Sequence, residues 1–170
     1  MKKIEVTQEY LKELLKYDWD TGLFIWTSRR SMFAGKIAGT TDNDGYIKIT
    51  INSRRFFAHR LAWLYVNGKW PSREIDHING DPSDNSIENL REATRSQNRA
   101  NIRYHRNNKT KTKGICYVKY GLTYKWRTSV MANGRRSYSF FDTKEEAQSA
   151  YNKEIVTLFG EFACTGARGG

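Results

Sequence analysis

Long apolar runs are missing from this chain of 170 residues. No stretch approaches the roughly 20 consecutive apolar residues that a membrane-spanning helix needs. The opening "MKKIEVTQEY" turns polar too soon for a secretory signal peptide. The expectation is therefore a soluble, intracellular protein with no membrane partner. Cysteine is scarce as well: Cys116 and Cys164 form no C-x-x-C pair, which excludes a cysteine-rich zinc site and suits a reducing compartment. Histidine occurs three times, at positions 59, 77 and 105. Acidic residues are absent between Glu92 and Asp142, a span that holds 12 Lys/Arg. Residues 1–100 carry 16 Lys/Arg against 13 Asp/Glu, a net of +3, and residues 101–170 carry 13 against 5, a net of +8. A solvated surface normally mixes signs, so this imbalance points to a polyanion, above all nucleic acid.

The elements that are present suggest an α+β chain. "TQEYLKELLKY" (7–17) reads as a helix capped by Thr7, with Tyr10, Leu11, Leu14 and Leu15 as its apolar stripe. "GLFIW" (22–26) and "GYIKITI" (45–51) are β-rich, and "NSRR" reads as the turn after the second. A helix through Ala58, Leu61, Ala62, Leu64 and Tyr65 stops at Asn67-Gly68. His59 on that helix is expected to be a packed core histidine rather than a catalytic one.

Next comes "EIDHINGDPSDNSIENLREATRSQNRAN". It suggests a short strand, a turn-rich loop, a second strand "IENLREA", and a helix opened by Thr94 with Gln97 at capping-box spacing. Cutting a phosphodiester requires a base for water, charge against the transition state, and help for the leaving oxygen. Adjacent strand residues point to opposite faces, so Asp76 and His77 share a site only where the strand distorts or ends. Asn98, about a turn into the last helix, has an amide oxygen able to join the Asp76 carboxylate around one metal. Asn89 is placed to orient the imidazole or to brace the loop. The other loop residues, Asn79, Gly80, Asp81, Asp84 and Asn85, are expected to satisfy turn bonds.

Asp76-His77, Asn89 and Asn98, with "AHRLAW" upstream, resemble the HNH motif of ββα-metal (His-Me finger) nucleases. The wording is close to homing endonucleases of phages and their introns, over about residues 55–101. The resemblance implies His77 as general base, Asp76 and Asn98 as metal ligands and Asn89 as the structural asparagine. Asn98 stands where the family's name has a histidine. A hard amide oxygen there favours Mg²⁺ (or Mn²⁺), one ion per site, over Zn²⁺.

Residues 103–113, "RYHRNNKTKTK", read as a basic linker. Beyond it, strands at 114–119, 124–131 and 135–141 and a helix from Thr143, with Glu146 closing a capping box and Gly160 at its end, make a second module. Its "KGI", "KWRTSV", "NGRRSYSFFDTKEEAQSAY" and "LFGEFA" resemble the plant ethylene-response-factor DNA-binding domain, whose three-stranded sheet lies in the major groove. If Trp126, Thr128 and Val130 pack on the helix, Arg127, Ser129 and Met131 face away, and Arg135 and Ser137 are expected to do so too. Lys113 and Arg135 fall where that family has DNA-contacting arginines, and Tyr117, Lys119 and Lys125 are weaker contacts. Arg99, Arg103, Arg106, Lys109 and Lys111 would add sequence-independent phosphate affinity.

The expected organisation is a nuclease domain over 1–102 with its core at about 74–101, a linker over 103–113, and a sheet-plus-helix DNA-binding domain over 114–165. The expected function is site-directed nicking of double-stranded DNA by a monomer, in the cytoplasm of a host cell if phage-encoded. The alternatives are a non-catalytic DNA-binding regulator retaining an HNH scaffold, and an RNA-binding or RNA-cleaving protein.

Overall fold

The computed structural model describes residues 5–27, 32–102, 108, 110–132 and 134–165. It is a mixed α/β chain of small antiparallel sheets and helices, in two compact units that divide between Ala93 and Thr94.

The first unit opens with α1 (Gln8–Leu14), capped by the Thr7 hydroxyl, which accepts from the Tyr10 N–H. The helix is shorter than its periodicity predicts. Leu15 turns to extended geometry, and Leu15–Tyr17 become β1, paired with β2 (Phe24–Trp26). The reason is burial: Leu15 and Tyr17 point inward and Lys16 outward, an alternation that only a strand provides. A three-stranded sheet follows, from β3 (Thr40–Thr41), β4 (Ile47–Ile51) and β5 (Arg54–Phe57). Only Asn52 and Ser53, at φ 50° and 61°, form the turn after β4. Arg54 and Arg55, expected in the turn, instead pair with Ile51 and Thr50. α2 (Ala58–Asn67) buries Ala58, His59, Leu61, Ala62 and Leu64 and ends at Gly68, φ 72°. Ala58, Leu61, Ala62 and Leu64 pack with Leu11, Leu15, Phe24, Ile49 and Ile51 into one core. Each large aliphatic side chain buried there contributes roughly 1.5–3 kcal/mol.

β6 (Glu74–His77) and β7 (Leu90–Ala93) form an antiparallel ribbon. The second strand starts later than expected. Ile87–Asn89 make a single 3₁₀ turn, so Asn89 lies just before β7 instead of within it.

In the second unit α3 (Arg95–Asn101) carries the expected capping box between Thr94 and Gln97. β8 (Ile115–Tyr120), β9 (Thr123–Ala132) and β10 (Arg135–Phe141) form a sheet with β9 central. α4 (Lys144–Phe159) packs on it, opened by the Thr143–Glu146 capping box and closed at Gly160. Thr128 and Val130 are buried with Ile115, Ala147, Tyr151 and Ile155 on the helix side.

The third strand corrects an expectation. Ala132 pairs with Arg135 and Val130 with Ser137, and residues facing each other across a ladder share a side of the sheet. Arg135 and Ser137 therefore lie on the helix side, where the Ser137 hydroxyl donates to Glu154 of α4 at 2.7 Å. Arg136 and Tyr138 take the outer side with Arg127, Ser129 and Met131. The physical cause is the two-residue connection between β9 and β10, which sets the parity of the whole strand.

Gly22 ties the β1–β2 hairpin to the loop after β6. It sits at φ +69°, and a Cβ there would stand 2.2 Å from Ser86 N and 2.3 Å from Asn85 C. Beside it the Tyr17 hydroxyl donates to Asn85 O at 2.7 Å. Gly22→Ala should therefore destabilise the fold by about 3 kcal/mol or more. Gly121→Ala, at φ +61° with nothing within 4 Å, should cost only about 1–2 kcal/mol. Chemical denaturation of the two variants checks the contrast.

Candidate active site

Asp76 and His77 end β6 and are almost fully buried, 2% and 5% exposed. The ladder is regular to the end, with Asp76 opposite Arg91 and His77 opposite Leu90. The two side chains thus leave the strand on opposite faces. The Arg91 Nε donates to Asp76 Oδ2 at 2.9 Å, an ion pair in a setting that excludes most water.

His77 enters an aromatic pocket. The Tyr46 ring lies 5.9 Å away, and the His59 ring stands perpendicular to it at 5.1 Å. His77 Nε2 faces Asn85 Oδ1 at 3.4 Å, the long end of a hydrogen bond. A proton on Nε2 directed at that oxygen leaves the ring's basic lone pair on Nδ1. Burial pulls the His77 pKa below its ordinary 6.5, opposed by the Asn85 contact and the Asp76 charge. The imidazole is thereby kept in the neutral form that a base requires.

Asn89 braces the loop. Its Oδ1 accepts from Asn79 N at 2.9 Å and its Nδ2 donates to Asp84 O at 2.9 Å. Asn79 Nδ2 in turn donates to Asp84 Oδ2 at 2.7 Å, and Asp81 and Asp84 accept from Ser83 and Ser86 backbone N–H groups. The four polar loop residues behave as turn formers, except Asn85. Its side chain is buried, donates to Ser83 O and reaches His77. Sequence reasoning missed Asn85, Tyr46 and Arg91. Arg91 becomes legible once the ribbon's register is known, because it alone can face Asp76.

Asn98 belongs to the second unit. It is half-buried on α3, its N–H donating to Thr94 O and its carbonyl accepting from Ile102 N. Arg99 is exposed on the same helix. Lys113 Nζ donates to the Arg99 and Ala100 carbonyls at the end of α3. Arg127 Nη2 donates to Cys116 Sγ at 3.4 Å, and its guanidinium lies 4.9 Å from the Tyr138 ring centre. Lys119 and Lys111 are exposed, and Ser129 is half-buried. Arg103, His105, Arg106 and Lys109 lie outside the described residues. Among those that are described, no group of three His, Cys, Asp or Glu could hold a metal ion.

His59 is the core histidine expected, 7% exposed, but it also faces His77. Burial first, then the neighbouring His77 and Arg60, push its pKa from 6.5 down to about 3. The unfolded chain takes up this proton near pH 6.5 and the folded chain only near 3. Between those values the unfolded state binds more protons, so stability falls as pH drops through that window, by up to about 1.4 kcal/mol per pH unit. Denaturation from about pH 7 to pH 4.5 should therefore show a steeper loss for wild type than for His59→Phe; equal slopes would contradict the assignment.

Residues 56–100 match the family model described as HNH endonuclease. Among curated proteins, the chain is 33% identical over 108 residues to an uncharacterized HNH endonuclease of Acanthamoeba polyphaga mimivirus, covering 62% of this chain and 54% of that one. It is also 33% identical over 79 residues to the protein named 3.8 of Escherichia phage T7, covering 46% of this chain and 64% of that one. The chain thus spans 54% and 64% of the length of these relatives. No solved structure matches it. Asp76, His77, Asn89 and Asn98 all fall inside the matched span, and the chain carries an HNH endonuclease domain there.

Proposed function

We propose that the protein is a metal-dependent, homing-type DNA endonuclease that hydrolyses one phosphodiester of double-stranded DNA, acting as an intracellular monomer that nicks. The observation that supports this best is a buried His77, its Nε2 facing Asn85 Oδ1 and a buried carboxylate beside it in the strand, inside the HNH match. His77 Nδ1 takes a proton from water as the water oxygen bonds to phosphorus. The bond from phosphorus to the leaving oxygen breaks, and that oxygen is protonated from solvent.

Asp76 and Asn98 are the proposed metal ligands. Both offer hard oxygens, and a small protein donor set fits Mg²⁺ or Mn²⁺, which keep several waters. When bound, the ion supplies positive charge against the transition state and the leaving oxygen. Arg91 holds the Asp76 carboxylate in one orientation. Asn89 keeps the 78–89 loop closed, so Asn85 stays against His77.

The division into a nuclease domain with a ββα-metal core, a basic segment and a C-terminal DNA-binding domain of ethylene-response-factor type is part of this proposal. The three-stranded sheet on one helix supports it. The outer face offers Arg127, Ser129, Arg136 and Tyr138 to DNA, while Arg99, Lys111, Lys113 and Lys119 add phosphate contacts. Arg103, Arg106 and Lys109 complete the proposed set, and Arg135 and Ser137 leave the outer-face group.

Purified protein with supercoiled plasmid carrying the gene's genomic neighbourhood should nick it with Mg²⁺ and fail with EDTA. His77→Ala should lower the rate by about 10²–10⁴-fold. Cutting that survives both EDTA and the substitution would sink the mechanism. DNA affinity should fall steeply with salt, and Arg136→Ala should reduce the log–log slope by about one. An unchanged slope, measured by titration at several salt concentrations, would remove Arg136 from the interface.

A further inference from the structure

His59 is a buried titratable group that the mechanism above leaves unused. It is the second residue of α2, and its ring lies between that of Phe57, nearly parallel at 5.2 Å, and that of Tyr46, tilted edge-on at 5.7 Å. Its Nδ1 is buried without a hydrogen-bond partner among the described residues. A buried polar atom with no partner destabilises a fold. A phenylalanine of similar shape would fill the same aromatic surroundings without that penalty. Places where a sequence breaks a packing rule in this way tend to be functional. The one polar side chain among its three ring neighbours that has a role in the proposed chemistry is His77, perpendicular at 5.1 Å.

We propose that His59 is the positioning residue of the nuclease site: a neutral imidazole that sets the ring plane of His77 and keeps one nitrogen uncommitted to the fold until water and substrate fill the site. The proposal rests on the reading of His77 as the base. Neutrality is secured twice. Burial disfavours the charged ring, and a cation at the second position of α2 would sit at the positive end of the helix dipole. His59 does not itself take part in bond making or breaking.

The test uses the full chain, supercoiled plasmid and Mg²⁺, with His59→Phe, His77→Ala and the two combined. His59→Phe should melt a few degrees higher than wild type and bind DNA within about twofold of it. It should nick more slowly by up to about 10²-fold, the scale at which misplacing a catalytic group is felt. In the His77→Ala background it should have no further effect, because His59 acts through His77. Wild-type nicking by His59→Phe beside an inactive His77→Ala overturns this proposal alone. Full nicking by His77→Ala removes the base reading, and His59's role with it. If His59→Phe fails to fold, His59→Gln carries the test: its amide returns a polar atom without the ring, and nicking slowed at unchanged DNA affinity supports the proposal. A Gln variant with wild-type rate overturns it.

Discussion

The register of the β6–β7 ribbon governs what the rest of the first unit can do. Pairing Asp76 with Arg91 and His77 with Leu90 puts the carboxylate and the imidazole on opposite faces of one strand. A slip of one residue would exchange them, sending His77 toward Arg91 and the carboxylate among the aromatic rings. An uncompensated charge in such surroundings is costly, whereas the observed register gives Asp76 a cation and His77 an environment that keeps it neutral. The two halves of the proposed chemistry, a charged ligand and an uncharged base, thus follow from a single alignment of backbone hydrogen bonds.

What holds that register is mostly outside the ribbon. Asn89 closes the intervening loop with two side-chain bonds, and Ile78 N donates to Asn89 O at 2.8 Å. Tyr17 and Gly22, from the hairpin that follows α1, lock the Asn85–Ser86 backbone from the other side. Burial raises the Tyr17 pKa to about 12, so its hydroxyl keeps its proton and remains a donor across physiological pH. The N-terminal elements therefore act on the site through Asn85, whose amide meets His77.

Much of this was legible in the sequence wherever the signal was local. Thr7, Thr94 and Thr143 cap the helices that their spacing predicted, and the expected glycines, Gly68 and Gly160, end α2 and α4. Asp76 and His77 stood out because a histidine beside a carboxylate is rare in a chain with three histidines. The misses are those where a distant partner decides. Leu15 and Tyr17 fit a helical stripe equally well, and only the core chose the strand. Asn85 reads as one more turn asparagine until Tyr17 is known to hold its carbonyl. The face of β10 depends on the parity of a two-residue connection, which no periodicity within the strand itself reveals.

The outer face of the second sheet separates charge from availability. Lys125 is paired with Asp142, and Arg127 is held between the Cys116 sulfur and the Tyr138 ring. Arg136, by contrast, is exposed and forms no ion pair among the described residues. A guanidinium already oriented by neighbours loses less freedom on meeting a base edge, while a free one is better suited to a phosphate. On the proposed reading, base discrimination falls to the constrained Arg127 and much of the salt dependence to cations such as Arg136. The surplus charge of the 93–141 span would then set how strongly DNA is held, and the pair formed by Arg127 and Tyr138 would set where.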